Sequence, residues 1–366
     1  MKSNEHSHIA PRQVGAVKMT ADDVADFAAL SDIGINLPRQ QVAKMAAWAM
    51  DDNQSDVTAP SMTTPVQFLQ NWLPGFVKVI TAARKIDELV GITTTGSWED
   101  EEIVQGILEP IGNAVPYGDY TNVPLASWNT NFVRRTVIRF EKGIKVGMLE
   151  EARASRIRVS TSAEKRASSA LSLEIQRNLV GFYGYNNGLN LTYGFLNDPA
   201  LPAYVTVAAT GVGSSTSWAN KTFLQIVADI RVAAAQLQTQ SQDTINPEDV
   251  ELTLGLPTNS YQYLSVTSDF GISVRDWLNK TYPKLRVVSA PQLNLANGGA
   301  NVFYLYAESV DDGASDDSRV WVQVVPAKFQ ALGVEKQAKA YVEDYANATA
   351  GCMLKRPYGV VRYSGI

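Results

Sequence analysis

The sequence predicts an α+β chain in which a polar N-terminal arm leads into an extended β-hairpin, a long helix and an α/β unit. Three observations carry that reading. The apolar period changes to two at Ile92 and holds to Val146. A capping pattern at Thr161 opens a helical period that runs to Tyr183. Strand and helix signals then alternate from about residue 200 to residue 310. A length of 366 residues suffices for roughly two domains of ordinary size.

Residues 1–18 read as a flexible tail. Thr20-Ala21-Asp22-Asp23 has N-cap chemistry for a helix through Leu30, and Pro38 starts another through Met50. Residues 51–65 are polar and rich in Ser, Thr and Pro, so 1–64 read as an arm rather than a domain. Residues 65–91 connect arm to hairpin: Pro74 and Gly75 interrupt the apolar stretch, and Phe76 to Leu89 has helical spacing that Gly91 ends.

Residues 92–146 read as one long hairpin. On its return limb Ile138, Phe140, Ile144 and Val146 share a face, while Arg135, Arg139, Glu141 and Lys145 share the other. The outgoing limb carries Glu99, Asp100, Glu101 and Glu102, which would pair across the strands with Arg134, Arg135, Arg139 and Lys142. Turn residues between Pro110 and Pro124 mark the tip. A two-stranded ribbon of this length is not stable alone, so it should lie on other subunits.

Met148 to Ala154 fits a short helix. In the long helix that follows, Ala163, Ala167, Ala170, Leu171, Ile175 and Leu179 predict a small-residue face packed on a sheet, with Arg166 and Arg177 on the other sides. Leu201 to Ala209 reads as a strand, Gly211 to Ser217 as a turn and Trp218 to Gln238 as a helix. Alternating elements follow at 250–254, 258–265, 273–281, 285–289 and 302–308, and the chain beyond Val320 is mostly strand. No internal repeat is present.

Composition narrows the function. Charged residues are only 19%, against roughly 25% in an average domain. A chain that is 45% apolar and so weakly charged either keeps little free surface or hides part of it against partners. Its net charge of −5 and its scattered Lys and Arg exclude a dedicated nucleic-acid binder. Cys352 is the one cysteine, so no intrachain disulfide or cysteine-rich zinc site forms. The start lacks a signal-peptide apolar core, and no stretch is long and apolar enough to span a membrane, which predicts synthesis in the cytoplasm. Both histidines, His6 and His8, lie in the leader, which removes Ser-His and Cys-His nucleophile pairs from the folded body.

The remaining motifs have plainer readings. Ser162-Ala163-Glu164-Lys165 matches the S-x-x-K pattern of serine acyltransferases, yet the accompanying elements are missing and Ser162 belongs to a helix start. Residues 211–217 sit where a phosphate loop would, without its G-K-[ST] ending. The acidic runs 99–102 and 311–317 lack the alternating ligand spacing of a calcium loop and read as solvated charge. No catalytic residue, cofactor or metal is predicted.

The order of long hairpin, short helix, capped long helix and Tyr193-Gly194-Phe195-Leu196-Asn197-Asp198-Pro199 resembles the major capsid proteins of tailed bacteriophages. Gly351-Cys352-Met353-Leu354-Lys355-Arg356-Pro357 resembles their closing strand, before the apolar Val360-Val361. The resemblance covers about residues 65–366. It implies an extended loop at 92–146, a peripheral domain at 147–199 with its spine helix, an axial domain at 200–334 and a peripheral return at 335–366.

It also implies a non-enzymatic subunit of an icosahedral phage head. Such a subunit would assemble with itself into pentamers and hexamers and enclose double-stranded DNA that it contacts non-specifically. Scaffolding, portal and decoration proteins would be further partners, with no membrane, and the chain would reside in the virion. The candidate assembly contacts are Glu99, Glu101, Pro110, Tyr117, Asp119, Tyr120, Arg134, Arg135, Arg139, Ala163, Ala167 and Arg356. The rival readings are a bacterial nanocompartment shell of the same fold and, from another class, an α/β enzyme using carboxylate or lysine chemistry.

Overall fold

The computed structural model describes residues 81–119, 125–156 and 160–366. The expected arm, its two helices, both histidines and Tyr120 lie outside the described residues.

Helix α1 (Ile86–Val90) ends at Gly91 and is followed by the two-residue strand β1 (Ile92–Thr93). Strands β2 (Glu102–Ile111) and β3 (Ser127–Thr136) pair antiparallel as an isolated ribbon, in register from Glu102 with Thr136 to Ile111 with Ser127. Strand β4 (Ile138–Gly147) continues from β3 but leaves the ribbon. The hairpin is therefore shorter than the predicted 92–146. Its return limb beyond Thr136 changes partner because Val137, Ile144 and Val146 are buried in two small cores of the body.

Helix α2 (Met148–Arg156) and helix α3 (Thr161–Tyr183) follow. Ser160, not Thr161, caps α3: its hydroxyl accepts the Ala163 amide. The buried face of α3 also differs from the predicted one. Ser169, Leu173, Arg177, Asn178 and Val180 face inward, whereas Ala163, Ala167 and Leu179 are exposed. Apolar periodicity pointed to the wrong stripe because the inward stripe is polar in composition. Its polar groups are matched: Ser169 donates to the Lys142 carbonyl, and Arg177 makes a two-pronged contact with Asp87 at 2.8 and 2.7 Å.

The segment after α3 closes the helix. Asn197 donates to the Tyr183 carbonyl and accepts from the Gly194 amide, each at 2.7 Å. A Cβ at Gly194 would strike the Phe182 backbone, so the chain turns there only with glycine. Phe195 is thereby placed among Phe182, Tyr304, Tyr306 and Trp321.

Strand β5 (Val205–Thr206) is much shorter than the predicted 201–209. Helix α4 (Phe223–Gln240) carries a capping box between Thr222 and Gln225. Strand β6 (Leu252–Pro257), the single turn of helix α5 (Thr258–Tyr261) and helix α6 (Val274–Thr281) come next. Strands β7 (Leu285–Ala290), β8 (Val302–Ala307), β9 (Trp321–Val324), β10 (Ala327–Lys336), β11 (Ala340–Thr349), β12 (Cys352–Leu354) and β13 (Val360–Ser364) complete the chain.

The sheets are β5-β13-β8-β6-β7, β10-β11-β4 and β1-β9-β12. Strand β13 lies inside the five-stranded sheet, between β5 and β8, so residues 360–364 join the α/β unit rather than a peripheral return. Strand β10 likewise runs through the expected 334/335 boundary. One large core joins α1, the end of α3, Phe195, α4 and the five-stranded sheet, so the chain has no break in packing at residue 199.

Candidate assembly interface

Period-two geometry gives the ribbon two unlike faces. Val104, Gly106 and Leu108 share one face with Trp128, Thr130, Phe132 and Arg134. Ile103, Gln105, Ile107, Glu109 and Ile111 share the other with Ser127, Asn129, Asn131, Val133 and Arg135. The first face is apolar and open: Leu108 is 69% exposed, Trp128 71% and Phe132 59%. Each such side chain leaves about 1.5–3 kcal/mol of hydrophobic stabilisation unrealised in the isolated subunit. At the tip, Tyr117 is 92% exposed, Asp119 is also open to solvent, and the Pro110 backbone pairs with Trp128.

The foot of the ribbon is fixed by charge. Arg135, buried, donates to Asp198 at 2.7 Å, donates to the Arg134 carbonyl and lies over the Tyr193 ring. Asp198 also accepts the amides of Ala200 and Leu354, tying β3, the turn after α3 and β12 to one carboxylate. Arg139 donates to the carbonyls of Trp98 and Asp100 and covers the Trp98 ring. Of the expected basic partners, Arg134 lies 3.7 Å from a carboxylate of the acidic limb, that of Glu102, whereas Arg139 reaches that limb through its backbone. Glu99 and Glu101 are exposed.

Arg356 is turned inward in the subunit. It is buried, grips Asp312 and Asp316 and donates to the Arg319 carbonyl, while Lys355 pairs with Asp316 at 2.6 Å. The acidic run 311–317 is therefore a clamp around the closing strand, not a free solvated loop. Hydrogen bonds from Arg356 hold Asp312 at about 2 and pull Asp316 well below the usual carboxylate range.

A second carboxylate clamp joins α3 to β11. Arg166 donates to Glu343 at 2.7 and 2.5 Å, and the Tyr345 hydroxyl donates to the same group. The two donors, Arg166 foremost, hold Glu343 at about 2. Lys165 of the S-x-x-K pattern contacts Glu150 and the Lys145 carbonyl, and the Ser162 hydroxyl meets that of Ser160. Among the described residues no cluster of His, Cys, Asp and Glu is arranged to hold a metal, and no described helix is long and apolar enough to cross a membrane.

Sequence reasoning missed Trp128 and Phe132, although their spacing of four along a strand was a legible sign of a shared face. It also missed Asp198, Asp312, Asp316 and Glu343, whose partners lie 40 or more residues away.

A family model described as Pa193 gp26 major capsid protein matches residues 55–365. The chain belongs to that family of phage capsid proteins. As such it is a structural protein rather than an enzyme. Solved capsid structures share its fold. The capsid of Myoviridae phage XM1 is similar at 15% identity and a TM-score of 0.65, over 83% of this chain and 99% of that one. The Mycobacterium phage Ogopogo structure is similar at 11% identity and a TM-score of 0.53, over 82% and 99%. The capsid of cyanophage P-SCSP1u is similar at 11% identity and a TM-score of 0.50, over 86% and 98%. No curated protein matches the chain. In this capsid protein, then, the chemistry of interest lies in surfaces, and the ribbon exposes Val104, Leu108, Trp128 and Phe132 together.

Proposed function

We propose that the chain assembles with copies of itself into pentamers and hexamers of an icosahedral head that encloses double-stranded DNA. The observation that carries this reading is the β2–β3 ribbon, which keeps an apolar face open to solvent and has no sheet to support it. Docked on a neighbouring copy, the ribbon would recover its missing support. The reading further places the five-stranded unit around the capsomer centre and α3 with β4, β10 and β11 in the periphery. Glu99, Glu101, Tyr117, Asp119 and Arg134 remain proposed contacts with neighbours.

A net charge of −5 supports only loose, non-specific contact with the packaged DNA. Scaffolding, portal and decoration proteins are further proposed partners. Electron microscopy of particles built from this chain, with a nuclease-protection assay for packaged DNA, tests the reading. Closed icosahedral particles protecting double-stranded DNA are expected. Particles that hold no DNA under packaging conditions and instead enclose a protein cargo would overturn it.

A further inference from the structure

Three dipeptides of the chain place Asn or Asp before Gly: Asn187-Gly188, Asn297-Gly298 and Asp312-Gly313. Glycine in the second position leaves its backbone nitrogen open, since no Cβ crowds the approach of that nitrogen to the preceding side chain. What holds each pair decides whether the nitrogen can reach the side-chain carbon.

Asn187-Gly188 stands free between two pins. It lies between the end of α3 and Tyr193, where the Tyr185 amide donates to the Thr192 carbonyl at 2.8 Å. The Leu191 amide donates to the Thr136 hydroxyl, and the Thr192 hydroxyl to the Thr136 carbonyl. Between these bonds Asn187 and Gly188 are exposed, Gly188 has a φ of 68°, and a Cβ on it would meet nothing within 4 Å. Among the described residues, neither the Asn187 side-chain amide nor the Gly188 N–H has a hydrogen-bond partner.

The other two pairs are committed. Asn297 and Ala300 exchange both backbone hydrogen bonds across a two-residue turn in which Gly298 and Gly299 have positive φ. The Asn297 side-chain amide donates to the Ser364 hydroxyl at 3.0 Å. The Asp312 carboxyl, held at about 2 chiefly by hydrogen bonds from Arg356, is ionised, and the Gly313 N–H donates to Asp311. An ionised carboxylate resists attack at its carbon.

We propose that Asn187 is a self-modification site, at which the Gly188 backbone nitrogen attacks the Asn187 side-chain carbonyl carbon and displaces its amide nitrogen. The Gly188 nitrogen gives up its proton to hydroxide, and its electron pair forms the new N–Cγ bond. The Cγ–Nδ2 bond breaks, and the nitrogen leaves as ammonia with a proton taken from water. The succinimide ring that remains is opened by water at either carbonyl, which gives aspartate or isoaspartate at position 187. In sum one water is consumed and one ammonia released, with no change of oxidation state.

Either product carries a carboxylate. The chain thus gains one negative charge beyond its net −5, on a loop pinned to Thr136 at the foot of the ribbon. In an assembly of many copies the charge would accumulate with age at the same place on every subunit.

The test uses the full chain, incubated at mildly alkaline pH and followed by peptide mapping that separates Asn, Asp and isoaspartate at positions 187 and 297. The folded chain is compared with the chain unfolded in guanidinium chloride and with folded Asn187→Gln, whose longer side chain would have to close a larger ring. In the folded chain Asn187 should convert at least ~10-fold faster than Asn297, a difference of about 1.4 kcal/mol in barrier. Unfolding should bring the two sites to similar rates, and the main acidic form on isoelectric focusing should disappear in Asn187→Gln. An Asn187 that keeps its amide, equal rates at the two sites in the folded chain, or a ratio that unfolding leaves unchanged would overturn the proposal.

Discussion

Arg135 and Asp198, 63 residues apart, meet at 2.7 Å with both side chains closed off from water, and their contact fixes the ribbon to the body. The pair explains how an unsupported ribbon keeps a defined direction. Its base is held by a buried charge that also gathers the turn after α3 and the strand β12.

Removing one partner of such a pair strands the other charge in the interior. Asp198→Ala should therefore lower the unfolding free energy of the subunit by about 3–5 kcal/mol, and the double change Arg135→Met with Asp198→Leu should restore most of it. Urea unfolding checks this. A single variant within about 0.5 kcal/mol of the parent chain would show that the pair does not anchor the foot.

The clamp on Arg356 predicts an acid limb in stability. Asp312, at about 2 in the folded chain, lies below the ~3.9 of an unfolded aspartate. A depressed carboxylate contributes stability above its unfolded value and loses it as pH falls through the folded one. Melting temperature should thus drop between about pH 4 and pH 2. In Asp312→Asn combined with Asp316→Asn, that part of the decline should flatten, from a lower starting value. An unchanged slope in the double variant would assign the acid limb to other groups, Glu343 first among them.

Gly351 has a positive φ of 74°, and a Cβ there would strike the Tyr193 carbonyl. Gly351→Ala should yield insoluble or unfolded chain. Gly213, at a φ of 71° with open space around it, should accept alanine at a cost of about 1–3 kcal/mol. Soluble expression and melting of the two variants compare them directly, and equal behaviour would contradict the steric argument.

The small-residue face of α3 is predicted to pack on a sheet, but Ala167 is exposed in the subunit, and Ala167→Leu probes it. The variant should melt within about 1–2 °C of the parent chain, surface changes being worth roughly ±0.5 kcal/mol. Its particles should nevertheless be fewer or aberrant, because Ala167 is a proposed contact with a neighbouring copy. Lower subunit stability with normal particles would place Ala167 in an intrachain core.

Local chemistry explains which parts of the fold were legible in the chain. The limits of α3 follow from a polar run at residues 160–164 and Gly184, and β6, α6, β7 and β8 follow from strong local periods. Long-range choices were not legible. Whether β4 continues the ribbon or joins β11 depends on residues 340–349, about 200 positions away, and the alternation along β4 is the same in either pairing. The inward face of α3 was hidden for a related reason. Ser169 and Arg177 read as solvent-facing until the Lys142 carbonyl and Asp87 supply their partners. The candidate assembly contacts divided similarly: the open ribbon follows from alternation and turn residues, whereas Arg135 and Arg356 have their charge partners within the chain.

The central claim, that the ribbon joins copies of this chain into a shell, is tested most directly by sedimentation velocity. The full chain is compared with a variant in which the tip between Pro110 and Pro124 is shortened, over a range of concentration and salt. The full chain should sediment as capsomers or particles, and the shortened chain should remain folded, with an unchanged melting temperature, but fail to form closed shells. A full chain that sediments only as a compact 39.9 kDa species under all conditions, or a shortened chain that assembles as before, would contradict the account.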